Sequence, residues 1–228
     1  MLTRERNALV VVSPHLDDGV FSCGDLLARS RLSTVITVCT GLPEDPARLT
    51  SWDQRCGFPT ARAALKGRLE ENREALRLLG SDGVELGLPD SQYVHNWQPF
   101  IPLLRESLKN ALARLHPRQV VMPLGLFHED HIRVSDILLS LLYLFPGAVW
   151  MAYEDVPYRA RPDAVPQRLS VIRQRGIETS RVPTPCRSDR KSRAVCAYGS
   201  QLRGFGACPD DLARPEGYWR LTPSGDGP

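Results

Sequence analysis

The chain has 228 residues, 42% hydrophobic and 24% charged, with a net charge of +3 at pH 7. That length suffices for one well-buried core and points to a single domain over 1–228. The small basic excess is mostly arginine interleaved with acids, so it offers nucleic acid no electrostatic footprint, and no apolar run approaches the roughly 18–20 residues that span a bilayer.

The first element in chain order is a strand over 8–13, where Ala8-Leu9-Val10-Val11-Val12 is a continuous, β-branched apolar run too short for a helix. No signal-type apolar stretch precedes it. The six cysteines lack a CxxC pair or a tight framework, so a reduced, cytoplasmic protein is expected. Cys23 and Cys39 read as small buried hydrophobes.

Asp18 to Arg31 has helical spacing, and Thr34 to Cys39 is a second β-branched strand. Residues 44–60 hold Pro46, Gly57 and Pro59 without periodicity and read as a long excursion leaving a strand end, where it can line a site. A strong helix over 61–79 is stopped by Gly80. A strand over 84–88, a helix over 99–115, a strand over 119–124, a helix over 132–145 and a strand over 148–153 follow. Arg168 to Val171 is expected to add a late strand and Arg190 to Leu202 a last helix, and the tail from Thr222 to Pro228 is expected to fray. This alternation means βαβ units, hence an α/β, Rossmann-like, three-layer fold around a mainly parallel sheet.

Two segments carry the chemistry. Pro14-His15-Leu16-Asp17-Asp18 follows the first strand, and His128-Glu129-Asp130-His131 follows the strand over 119–124. Both lie at carboxyl ends of strands, where open α/β sheets bind ligands. The spacing His15-x-x-Asp18 can place both side chains on one metal, with His131 completing the set. Nitrogen and oxygen ligands without thiolates suit a catalytic zinc that keeps a position open for water. Asp17 would then be the general base on that water, and His128 would stabilise an oxyanion or protonate a leaving amine. These parts fit hydrolysis of an amide or ester. The competing explanations are that an aspartate merely caps the following helix and that the histidines lie on a solvated helix end. His116, at a strand entrance, reads as structural, and the four tryptophans read chiefly as packing.

The two loops resemble the PHxDD and HxDH motifs of the zinc-dependent PIG-L/LmbE-like N-deacetylases. The likeness extends to Leu78-Leu79-Gly80, to Leu86-Gly87-Leu88-Pro89-Asp90 and to the helix with Lys191 and Tyr198-Gly199-Ser200-Gln201, covering most of 8–203. It implies zinc on His15, Asp18 and His131, Asp17 as general base, and His128 acting on the tetrahedral intermediate. It further implies removal of an acyl group, usually acetyl, from an amino sugar in a glycoconjugate or natural-product intermediate. Asp90 matches a carboxylate that often contacts sugar hydroxyls. Two positions depart from the pattern. Gly19 stands where many members have an acid, and Leu126 stands where some have an oxyanion-binding tyrosine. Two alternatives remain open from the residues alone: a metal-dependent hydrolase of a non-sugar amide or ester, and a non-catalytic metal- or ligand-binding module.

Overall fold

The computed structural model describes residues 9–206 and 208–225. These residues form a seven-stranded sheet ordered β3-β2-β1-β4-β5-β7-β6. Next to its central strand lies β1 (Leu9–Ser13), buried at every position. Val10 and Val12 join one core layer, while Leu9 and Val11 join the other. That alternation explains the unbroken apolar run, since helices cover both faces of the sheet.

On one side, β1 pairs in parallel with β2 (Ser33–Cys39), which pairs with β3 (Asp82–Leu88); on the other it pairs with β4 (Gln119–Pro123), which pairs with β5 (Val149–Tyr153). One face carries α1 (Asp18–Arg29), α3 (Ala61–Leu79) and α7 (Asp189–Cys196), which meet the sheet through Phe21, Leu27, Leu76 and Ala194. The opposite face carries α4 (Ile101–Leu115), α5 (Glu129–Leu141) and α6 (Ala164–Gln174), through Leu104, Leu108, Leu138 and Leu169. The mainly parallel, three-layer α/β architecture is therefore the one the alternation of elements requires.

Three expectations need correction. Arg168 to Val171 lies inside α6, not in a strand. Leu169 and Ile172, three apart, both face the core, and Val171 points to solvent, which is helical periodicity. The late strands are β6 (Ile177–Val182) and β7 (Tyr218–Pro223), with β7 antiparallel to both β5 and β6. Thr222 and Pro223 do not fray, because they pair with Glu178 and Ile177; residues 226–228 and Ala8 lie outside the described residues. The last helix is two, α7 and α8 (Gly199–Phe205), broken where Tyr198 turns into the core to bond Leu16 O and Asn72 Oδ1.

The excursion 44–60 contains a short helix, α2 (Ser51–Arg55), capped by Thr50. His116 closes α4 in a left-handed conformation, in keeping with a structural role. All six cysteines are free, with Cys23 and Cys39 buried. No helix among the described residues is long and apolar enough to cross a membrane.

Candidate active site

After β1 the chain crosses to β2 on one side, and after β4 it crosses to β5 on the other. The neighbouring carboxyl ends of β1 and β4 therefore frame a crevice at the point where the winding reverses. Pro14 ends β1, and the loop behind it is drawn tight by Ser13, whose hydroxyl donates to His15 O and accepts from Gly19 N. Asp18 Oδ2 accepts the His15 backbone N–H at 2.8 Å. The same oxygen lies 3.1 Å from His15 Nδ1 and 3.1 Å from His131 Nε2. Asp17 occupies the cap position of α1 but makes no side-chain cap bond. Helix capping thus does not explain the Asp17 carboxyl.

The β4 exit needs two left-handed residues, Gly125 (φ 88°) and Phe127 (φ 59°), to swing the chain into α5. Glycine adopts that conformation freely, whereas a bulky side chain does so only when its surroundings dictate it. Asp155, two residues beyond β5, supplies the anchor. Its Oδ2 accepts from Gly125 N and Leu126 N, and its Oδ1 lies 2.6 Å from His131 Nδ1.

His15, Asp18 and His131 bring one ligand atom each to within 4.8 Å of one another. His131 is fully buried, and its Nε2 has no hydrogen-bond partner, its contact with Asp18 lacking the alignment of a bond. A buried nitrogen left without a partner is costly unless something else fills the position. His15 repeats the pattern, because its Nε2 is held by Asp130 Oδ2 at 3.2 Å while Nδ1 faces the gap. Each imidazole is thus pinned by a carboxylate on one nitrogen and presents the other inward, the support that metal-ligating histidines require. Two nitrogens and one carboxylate oxygen fit a catalytic zinc. A second grouping, His15 with His128 and Asp130, has similar spacing. It includes the His15–Asp130 pair, whose Nε2 and Oδ2 already bond each other, and that Asp130 oxygen also accepts from Ser91 N.

The electrostatics follow from burial and this pairing. Burial disfavours charge on His131, but Asp18 and Asp155 outweigh it and raise its pKa to about 9. His15 is likewise raised, by Asp130 and Asp18 against burial. Asp18 is held well below the ordinary carboxylate range by the two imidazoles despite its burial. Asp17, without such partners, is pushed up to about 7 by burial and by the charge of Asp18. His128 caps α5, its Nδ1 accepting Asp130 N at 3.2 Å. A lone pair is needed there, so a neutral His128 carries its proton on Nε2. Burial and the imidazoles of His15 and His131 lower its pKa to about 4, which keeps it neutral.

These groups line one wall of a cleft of about 340 Å³. The facing wall holds Trp52 and Arg55 of α2, together with Gln201 and Phe205 of α8. Trp52 packs edge-on to Phe205 at 5.2 Å and donates to Gln201 Oε1, and the Arg55 guanidinium lies 5.0 Å over its ring. The excursion is held by a buried clasp, in which Asp53 accepts from Arg68 at 2.7 Å and from the Tyr93 hydroxyl at 2.6 Å. Asp90 also lines the cleft; its carboxylate accepts from the backbone N and side-chain Nε2 of Gln92, closing its own turn. All six residues singled out in the sequence therefore border one cleft or belong to the group at its floor that could hold a metal ion. Sequence reasoning missed Asp155, although an acid just beyond a strand at the same edge was the available signal. It also missed the Asp53–Arg68–Tyr93 clasp, which no motif announces.

A family model described as GlcNAc-PI de-N-acetylase, PIG-L, matches residues 10–142. The chain belongs to this family. It is accordingly a hydrolase of amide carbon–nitrogen bonds. A relative, the 2'-N-acetylparomamine deacetylase of Streptomyces fradiae, is 29% identical over 215 residues, covering 86% of this chain and 74% of that protein. Two solved structures share the fold. The A40926 pseudoaglycone deacetylase Dbv21 has a TM-score of 0.78 at 22% identity over 97% of this chain and 99% of its own. The zinc-inhibited form of teicoplanin deacetylase Orf2 has 0.79 at 19% identity, over 96% and 100%.

Proposed function

We propose that this PIG-L family member is a zinc-dependent N-deacetylase that removes an acyl group, acetyl above all, from an amino sugar within a natural-product intermediate. The observation that carries the reading is the unpartnered Nε2 of His131, aimed into the gap it shares with His15 and Asp18 beside the uncapped Asp17. When bound, zinc would lower the pKa of a water and polarise the amide carbonyl.

The protein's own residues account for the proton movements. Asp17, raised to about 7, is matched to accept the attacking water's proton near neutral pH. As the water oxygen bonds the carbonyl carbon, the C=O electron pair moves to oxygen, where the His128 Nε2–H donates a hydrogen bond. Asp17 then returns its proton to the nitrogen as the C–N bond breaks, giving amine and carboxylic acid. A neutral His128 pinned through Nδ1 suits the donor role better than that of acid. The family and the paromamine relative support an amino-sugar substrate, with Asp90 at the cleft edge as acceptor for sugar hydroxyls and α2 covering the ring or what it carries.

The test is metal analysis of purified protein coupled to amine release from a panel. The panel holds N-acetyl amino sugars, their glycosides and a plain N-acetyl amine. One bound zinc, release from the sugars, and an Asp90→Ala variant with KM raised selectively for sugar substrates are expected. A metal-loaded protein that cleaves the plain amide or an ester but no amino sugar would overturn the substrate reading. Equal effects of Asp90→Ala on sugar and plain amine would leave Asp90 as a turn cap only.

A further inference from the structure

Tyr158 stands on the catalytic wall without a structural reason for its hydroxyl. The buried tyrosines Tyr93, Tyr153, Tyr198 and Tyr218 all commit theirs, to Asp53, to Val12 O, to Leu16 O with Asn72, and to Glu216. Tyr158 lines the cleft, and its hydroxyl bonds none of the described residues. Its ring meets His131 edge-on at 5.1 Å and His128 at 5.9 Å, so it bridges the metal-ligating floor and the proposed oxyanion donor.

The ring is fixed rather than dangling. It begins a 3-10 turn, Tyr158–Ala160, on the exit loop of β5. Val156 N donates to Ser22 Oγ, Arg159 N to Asp155 O, and the Arg159 side chain to Asp211 at 2.9 Å. Phe127 buttresses the ring at 5.6 Å. A phenol keeps its proton near neutral pH and so offers a donor. The loop before His128 offers no rival, because Leu126 is 2% exposed and packs into the core.

We infer that the Tyr158 O–H is a second hydrogen-bond donor to the carbonyl oxygen of the substrate as it becomes an oxyanion, alongside His128. The phenol lends its hydrogen bond as the C=O pair moves to oxygen and keeps its proton throughout. The inference rests on the amide-hydrolase reading above but assigns a group that the two motifs do not contain.

The test is Tyr158→Phe, which keeps the ring packing and removes only the donor. Expected is a fall in kcat of about 10²–10³-fold, with unchanged metal content and a KM within about threefold. A methylphosphonamidate analogue of the substrate mimics the tetrahedral oxyanion. It should bind more weakly to the metal-loaded variant by a factor tracking the loss in kcat/KM, while the amine product binds both proteins equally. An unchanged kcat and analogue affinity overturn the inference, as does an effect confined to KM or to metal loss. A wild type inactive on every amide brings down the hydrolase reading itself, whereas an active wild type with an unimpaired variant brings down only Tyr158.

Discussion

The two walls of the cleft are built by different means. The catalytic wall comes from the exit loops of β1, β4 and β5, three adjacent strands of the parallel core. Its side chains are held by carboxylate–imidazole contacts, among them His131–Asp155 at 2.6 Å. The facing wall comes from an excursion and the short helix α8, and it is held by aromatic packing and by the Asp53–Arg68–Tyr93 clasp. One wall fixes the proposed ligands and base on rigid strand ends; the other presents a surface that can change without disturbing them. Such a division lets a single chemistry be kept while the substrate varies.

Damage to the catalytic wall should therefore appear in metal content and turnover, and damage to the other in binding and stability. The largest effect is expected from His131→Ala, which should lose the metal and essentially all turnover while circular dichroism stays native. Full metal retention would break the ligand assignment. Next, Asp17→Asn should keep the metal and lower kcat by about 10²–10⁴-fold, since an amide cannot accept the water's proton. A fully active variant would move the base elsewhere.

Asp155→Asn should weaken metal binding by about 10–100-fold, measured by competition with a chelator, because it loosens the ring it orients. In wild type the same assay should show affinity falling as pH drops below about 9. The metal-free His131 holds its proton up to there, and that proton must leave before the nitrogen can ligate.

The smallest effect on chemistry, though not on the fold, belongs to Asp53→Ala. Removing it leaves Arg68 in a buried site without its charge partner, at a cost of about 3–5 kcal/mol. A lower melting temperature and a raised KM for large substrates are expected, with kcat on a small N-acetyl amine retained. Equal loss of kcat on both substrates would show that the walls are not separable.

The catalytic wall was legible in the sequence for a physical reason. Groups that are to meet at one point sit a few residues apart on one loop, so the proposed ligands and base His15, Asp17 and Asp18 fall in a readable string at the end of an apolar run, and His128 with His131 do the same. The parallel core was legible because burial on both faces demands uninterrupted apolar strands such as Val10-Val11-Val12. What escaped notice is held by long-range contacts. Asp53 meets Arg68 and Tyr93 across 15 and 40 residues, and Asp155 reaches His131 across 24. β6 and β7 were missed because Ile177–Val182 is half-exposed and charged, and its pairing with Tyr218–Pro223 lies far along the chain. Arg168 to Val171 misled because a short stretch with two β-branched neighbours reads as a strand until the spacing of Leu169 and Ile172 is weighed against it.

The antiparallel β7 has a consequence for the order in which the molecule becomes competent. It lies between β5 and β6, although its residues are made after both. Glu154 N donates to Gly217 O, and the Arg159 side chain holds Asp211, so the loop bearing Asp155 and Tyr158 is fastened by residues made after every other part of the cleft. Until then one edge of β5 is bare, and bare strand edges invite pairing with other chains. A nascent polypeptide would carry both sequence motifs well before it could set the loop between them. Maturation of the site is thus tied to the synthesis and pairing of β7, and a protein shortened before Tyr218 should be aggregation-prone rather than a smaller enzyme.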